Sequence, residues 1–288
     1  MTTAPIDLDE LKRAIGTKEV ATDVVTAAQA NLLRLTFGRP EPKLEEGDAL
    51  PPGWHVIYFT PRVAPDGLRP DGTPARSGVT PDMPLPRRMF AGQAFRFHRP
   101  LRIGQTLRQE TELTDISLKR GATGTLVFTT VVSRIAGPDG LALEDERRIV
   151  YREEVKAGGA NQAPRREPVP DDLPWRRTIT PNPTLLFRFS ALTFNSHRIH
   201  YDYPYVTQTE GYPDLVMNGG LTTLLVYELA RTHASTALRY IASRNVRPLF
   251  VGREISICAE PAPDNKSAKL WALDDKGALA LSAEAEFA

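Results

Sequence analysis

Cysteine is nearly absent: Cys258 is the one cysteine in 288 residues. That excludes an internal disulfide framework and a zinc site built on thiolates. Set in the apolar run ISICAEP, Cys258 reads as a buried structural thiol. Lysine is scarce too, 8 against 28 arginines, yet the net charge is only +1. No Lys/Arg block stands out, so nucleic acid is not an expected partner. No apolar run reaches the length a bilayer crossing requires, so no membrane partner is expected. The N-terminal MTTAPIDLDELKRAIG lacks the apolar core of a signal peptide, which points to a cytoplasmic protein. Neither GxGxxG nor GxxxxGKS/T occurs, so the common nucleotide-phosphate fingerprints are missing.

What is present is an ordinary globular composition, 41% hydrophobic and 25% charged, in a chain long enough for one large domain or two smaller ones. DLDELKRAIG reads as a short helix stopped at Gly16. ATDVVTAAQANLLRLTFG reads as a second helix ending at Gly38, with Val25, Ala28, Leu32 and Leu35 as its core face. GDALPPGWHVIYFTP is expected to become a short aromatic strand after its two prolines. Residues 62–86, rich in Pro, Gly, Asp and Arg, read as a long loop of the kind that often carries function. Four strands follow: MFAGQAFRFHRPL, GQTLRQETELTDISL, TGTLVFTTVVSRIAG and LALEDERRIVYRE, the last two joined at Pro138-Asp139-Gly140. Helix first and antiparallel strands after is an α+β pattern.

Residues 157–174 are dense in Ala, Gly and Pro and read as a linker. Beyond it come the apolar-alternating WRRTITP and TLLFRFSAL, then a helix from about Gly220 to Ser235. The strands ALRYIASRNV, PLFVGREISICAEP, SAKLWALDD and GALALSAEAEFA complete the chain. The two halves share local sequence. Arg99-Pro100-Leu101-Arg102-Ile103-Gly104 corresponds to Arg247-Pro248-Leu249-Phe250-Val251-Gly252, and Gly140-Leu141-Ala142-Leu143-Glu144 to Gly277-Ala278-Leu279-Ala280-Leu281. Both matches fall at equivalent places in the element order, so a duplicated domain is expected: one unit over 1–156, the linker over 157–174, and a second unit over 175–288.

The chemistry-bearing stretch is Ser190–Leu221. It holds two of the five histidines, His197 and His200, with Asn195 before them and Asp202 after. An Asn218-Gly219-Gly220 turn then opens an apolar helix. Titratable groups followed by free backbone N–H groups are the parts of an active site.

The fold pattern resembles a double hotdog, each unit an antiparallel sheet wrapped on a central helix. Hotdog hydratases of the MaoC-like type carry D-x-N-P-x-H, of which Asn195-Ser196-His197-Arg198-Ile199-His200 retains the final histidine. The variant F-N-x-H-R-I-H-Y-D resembles one branch more closely. That branch comprises the hydroxyacyl-thioester dehydratase type 2 enzymes and the mesaconyl-C4-CoA and itaconyl-CoA hydratases. LPPGWHVIYF, PLPRRMFAGQAFRFHRPLRIG and EGYPDLVMNGGL resemble it too, so the likeness spans nearly the whole chain.

The resemblance implies a carbon–oxygen lyase acting on a small-molecule acyl-CoA, with no metal or other cofactor. It implies reversible hydration of a short, carboxylated, branched enoyl-CoA, itaconyl-CoA or mesaconyl-C4-CoA giving citramalyl-CoA. The alternatives are a 3-hydroxyacyl-thioester dehydratase of fatty-acid metabolism, a hotdog thioesterase, and an acyl-CoA-binding protein. His200 takes the acid–base role, since an imidazole suits proton transfer at neutral pH. Asn195 stands where the family has a carboxylate; its amide oxygen can orient water but not take its proton, and its alternative is a turn residue. Gly219 would turn its N–H to the thioester oxygen beside Asn218, the alternative being an ordinary helix start. His197 would brace the loop and Asp202 orient His200 or sit on a solvated edge. For CoA phosphates the candidates are Arg244, Arg247 and Arg253; for a substrate carboxylate, Arg198, Arg87 and Arg88. A double hotdog already buries the usual dimer seam, so further assembly into a homo-oligomer is optional.

Overall fold

The computed structural model describes residues 6–76, 78–121, 124–153, 169–170 and 172–288. The first half runs α1 (Leu8–Lys12), β1 (Lys18–Val24), α2 (Ala27–Thr36), a 3₁₀ turn (Trp54–Ile57), β2 (Arg87–Phe97), β3 (Thr106–Gly121), β4 (Gly124–Gly137) and β5 (Gly140–Arg152). The second runs β6 (Trp175–Ile179), α3 (Pro183–Leu192), α4 (Tyr203–Gln208), α5 (Gly219–His233), β7 (Leu238–Asn245), β8 (Ile255–Pro261), β9 (Ser267–Leu273) and β10 (Leu279–Phe287).

All ten strands form one sheet in the order β1-β3-β4-β5-β2-β7-β10-β9-β8-β6. Read from its centre outward, each half has the same order, and β2 pairs antiparallel with β7 across the seam. The sequence matches occupy equivalent positions. Leu101 O accepts from Leu50 N as Leu249 O accepts from Met217 N, and Ala142 O accepts from Arg99 N as Ala280 O accepts from Arg247 N. Gly104 and Gly252 both hold positive φ, 90° and 74°. This is a double hotdog of the α+β class.

α5 is buried continuously from Leu221 to Ala230, which is why its sequence is apolar on every face. The equivalent place in the first half holds only the 3₁₀ turn Trp54–Ile57, opened by Gly53 at φ 89°. The sheet therefore wraps one long helix. Buried Glu228 of α5 ties the halves together, accepting from Trp54 Nε1 at 2.8 Å and pairing with Arg39 and Arg231.

Several expectations change. ATDV is not helical but belongs to edge strand β1, and α2 starts only after its cap, Thr26. The inward face of α2 is Ala30, Leu33 and Phe37, while Leu32 and Leu35 stay over half exposed, at 54% and 55%. The segment keeps the helical period with its apolar phase shifted to Ala30, Leu33 and Phe37. WHVI forms a 3₁₀ turn instead of a strand. TLLFRFSAL, read as alternating, is helix α3, because Asn182 caps it and Pro183 fits the first turn. PLFVG precedes β8 as a turn, with Phe250 bridging only to Val216. The expected linker lies mostly outside the described residues. Within the described residues no helix is long and apolar enough to cross a membrane.

Candidate active site

α3 ends at Leu192, and the next turn is tight enough to put Phe194 at φ 50°, a conformation non-glycine residues adopt at a cost. Asn195 follows. Its N–H donates to Ser190 O at 2.8 Å, and its Oδ1 accepts the His197 N–H at 3.1 Å. The side chain thus holds an Asx turn. A second lone pair on the same oxygen remains for water.

The first half of the chain grips this loop. The Ser196 hydroxyl donates to Gly72 O at 2.6 Å, and the Arg198 N–H donates to Asp71 O at 2.8 Å. A Cβ at Gly72, where φ is +82°, would lie 2.0 Å from Ser196 O. Only glycine fits there. The loop segment 62–86 therefore supplies a clamp on the motif from the other unit, a part the sequence signalled only as a long loop.

His200 is 6% exposed, in the 3₁₀ turn Arg198–His200. Its Nδ1 lies 2.7 Å from Val216 O, and a carbonyl can only accept, so Nδ1 carries the proton and Nε2 the lone pair. Among the described residues the ring's hydrogen bond runs through Nδ1, which leaves the Nε2 lone pair available. Burial, then the neighbouring His197, pushes the His200 pKa down to about 3. His197 packs edge-on against it with ring centroids 5.5 Å apart. Burial lowers the His197 pKa also.

Asp202 does not orient His200. It caps α4, accepting the Tyr205 N–H at 3.1 Å, and pairs with Arg198 at 2.9 Å. Val216, a backbone group invisible to motif reasoning, holds the imidazole instead. Val216 also fixes the relation to α5: its N–H donates to Ile199 O at 3.0 Å, and it lies three residues before Gly219.

Asn218 is the N-cap residue of α5 but makes no side-chain cap bond. Its amide Nδ2 donates to Ser190 Oγ at 3.2 Å, leaving Oδ1 buried without a partner among the described residues. The first N–H groups of α5, Gly219 and Gly220, are the orphan donors a helix start leaves, reinforced by the helix dipole. A Cβ on Gly219 would meet Phe90 Cδ1 at 3.3 Å and Asn245 Nδ2 at 3.4 Å, so Phe90 and Asn245 line the same spot. Neither was singled out from the sequence. A neutral imidazole with a free lone pair and a helix start with free donors are the two halves of a site that moves a proton while stabilising an oxyanion.

The arginines divide. Arg198 is committed to Asp202 and Pro70 O and lies over the Tyr205 ring at 4.1 Å, contacts that brace the loop. Arg87 pairs with Glu210 at 2.6 Å. Arg88 is exposed and lies close enough to His197 for its charge to lower that pKa. Arg247 pairs with Asp274 at 3.4 Å, and Arg253 lies over Phe250 at 5.0 Å. Arg253 shares a depression with Glu254, Asp274 and Asp275, and Arg247 is held by Asp274, so the two make a poor phosphate site. Arg244 is exposed, alternating with buried Ser243 on β7, so it faces away from α5.

A histidine held by a carbonyl three residues before a helix start that lacks a side-chain cap, inside a double hotdog, defines the site of a hotdog-type enzyme. Residues 53–251 match the family model described as hydroxyacyl-thioester dehydratase type 2. The chain belongs to that family and is a carbon–oxygen lyase. Over 277 residues it is 44% identical to the mesaconyl-C4-CoA hydratase of Chloroflexus aurantiacus, covering 94% of this chain and 96% of that protein. The mitochondrial hydroxyacyl-thioester dehydratase type 2 of Schizosaccharomyces pombe is 27% identical, over 77% of this chain and 80% of its own. Among solved structures, the MaoC-like dehydratase from Phytophthora capsici superposes with TM-score 0.67 at 16% identity, covering 98% and 99% of the two chains. A Mycobacterium tuberculosis protein with a double hotdog fold superposes at 0.57 and 15% identity, covering 97% of each.

Proposed function

We propose that the protein reversibly hydrates a short, branched, carboxylated enoyl-CoA such as mesaconyl-C4-CoA or itaconyl-CoA, giving citramalyl-CoA, with no metal or redox cofactor. The observation that carries this reading is the fixed tautomer of His200, held through Nδ1 by Val216 O three residues before the start of α5. Similarity to the Chloroflexus enzyme supports the substrate class.

In the proposed reaction with mesaconyl-C4-CoA, whose double bond is conjugated to the thioester, His200 Nε2 takes a proton from water as the hydroxyl adds to Cβ. The double-bond electrons move toward the thioester carbonyl, and the oxyanion meets the N–H groups of Gly219 and Gly220. The imidazolium then returns its proton to Cα, so the net change is addition of H and OH. A pKa pushed down to about 3 weakens the imidazole as a base. The enolate charge developing nearby offsets this, because it favours the imidazolium. Asn195 shapes the loop and offers water a hydrogen bond, and His197 walls the site.

The test is incubation of the purified protein with mesaconyl-C4-CoA and crotonyl-CoA, following loss of the conjugated thioester absorbance, and with itaconyl-CoA, following citramalyl-CoA by mass, with release of free thiol measured in each. Loss of conjugation without thiol release is the expected result. Thiol release without hydration would make the protein a thioesterase and overturn the reading. Dehydration of 3-hydroxyacyl thioesters, the activity named by the family model, is the second reading, and preference for unbranched, uncharged substrates would favour it.

A further inference from the structure

A carboxylated substrate brings a negative charge into a site that already has to hold an enolate. A cation has to meet it, and the three arginines nearest the motif are not equivalent. Arg198 is committed to Asp202, Pro70 and Tyr205. Arg87 is committed to Glu210, which also accepts from the Tyr205 hydroxyl at 2.9 Å. Arg88 makes no ion pair, hydrogen bond or ring contact among the described residues.

The strand geometry aims Arg88 at the site. The pairing of β2 with β5 slips between Phe90 and Gly92, a bulge that shifts the in–out alternation by one residue. Followed backward from the C-terminal end of β2, Gln93 and Phe95 lie before the bulge and face inward, with Gln93 donating to buried Asp145 and Phe95 packing on Tyr227. Past it the inward residue is Phe90, whose ring faces Gly219. Arg88, two residues further along, shares that face. Its cross-strand neighbours agree: Phe90 stands opposite Ile149 and Arg88 opposite Tyr151, both buried on that side of the sheet. Two strand residues span about 7 Å, the scale of a short acyl chain. The charge of Arg88 is also felt at His197, which packs on His200.

We propose that Arg88 is the specificity-determining residue that binds the second carboxylate of the substrate. The proposal rests on the carboxylated enoyl-CoA reading above. The β2 bulge is then the device that brings one arginine of the Arg87-Arg88 pair onto the substrate side while its neighbour is consumed in an ion pair.

The experiment compares kcat/KM for mesaconyl-C4-CoA, whose acyl group is anionic, with crotonyl-CoA, whose acyl group is not, in wild type, Arg88→Gln and Arg88→Lys. A lost hydrogen bond to a charged group corresponds to about a 10- to 150-fold effect. The ratio of the two kcat/KM values should fall by about that factor in Arg88→Gln, with Arg88→Lys keeping part of it because a point charge cannot bind bidentately. Equal losses on both substrates, or an unchanged ratio, would overturn the proposal. If wild type itself shows no preference for the anionic substrate, the substrate-class reading fails and the role of Arg88 fails with it. If wild type prefers it and Arg88→Gln keeps the preference, only the assignment to Arg88 is wrong. Circular dichroism on each variant separates these outcomes from misfolding, to which an exposed side chain contributes little.

Discussion

Substitution of His200 by asparagine separates the base from the brace. The imidazole is buried, and its Nδ1–H donates to Val216 O at 2.7 Å. An asparagine Nδ2 can occupy nearly the place of Nδ1 and keep that bond, but it offers no titratable lone pair where Nε2 stood. A positioned general base is worth about 10²- to 10⁴-fold, or about 3–5 kcal/mol of barrier. His200→Asn should therefore lose that much turnover with mesaconyl-C4-CoA while its thermal unfolding stays close to wild type. His200→Ala should lose the same turnover and, in addition, about 1–3 kcal/mol of stability, because Val216 O is left buried and unpaired. The assays are loss of conjugated thioester absorbance and the unfolding midpoint in denaturant. Near-wild-type turnover in His200→Asn would refute the role of Nε2. Equal stability losses in the two variants would refute the role assigned to Val216.

The depressed pKa gives a pH prediction for the fold. His55, His197 and His200 all have folded pKa values below the ordinary 6.5, His200 at about 3. Below pH 6.5 the unfolded chain binds more protons than the folded one, so stability present above that pH falls as pH drops, by about 1.4 kcal/mol per pH unit for each such group; acid unfolding curves check this. By the same token kcat/KM should show no acid limb near pH 6.5. Asn195→Ala should reduce turnover less than His200→Ala, since it removes a turn contact and a water partner but no base; equal losses would contradict that division. In Gly219→Ala the Cβ comes first against the side chains of Phe90 at 3.3 Å and Asn245 at 3.4 Å, which have to give by a few tenths of an ångström, so it should lower turnover by more than its modest cost in melting temperature suggests. Glu228→Ala leaves Arg39 and Arg231 without their buried partner and should destabilise by about 3–5 kcal/mol, read by denaturant unfolding.

The amino-acid sequence was sufficient for the strands β2 to β5, the helix α5, the repeat and the motif around His200. Those features are local: period-2 alternation, a continuous apolar helix, a proline–glycine turn and a short match of residue types. It also exposed the Asn-Gly-Gly helix start. The phase of α2 and the identity of TLLFRFSAL were not legible, because helix and strand periods are ambiguous over short apolar runs and the packing partner decides which face turns inward. The contacts that build the site are long-range. Val216 holds His200 through a backbone carbonyl, which no side-chain pattern can reveal. Gly72 grips Ser196 from the other half of the chain. The arginines look alike in sequence, and only the fold commits Arg87 to Glu210 and Arg198 to Asp202 while the bulge in β2 puts the exposed Arg88 on the same sheet face as Phe90. Residue types set the available chemistry; the sheet, by bringing distant backbone and charge together, decided which groups are spent on structure and which remain free to react.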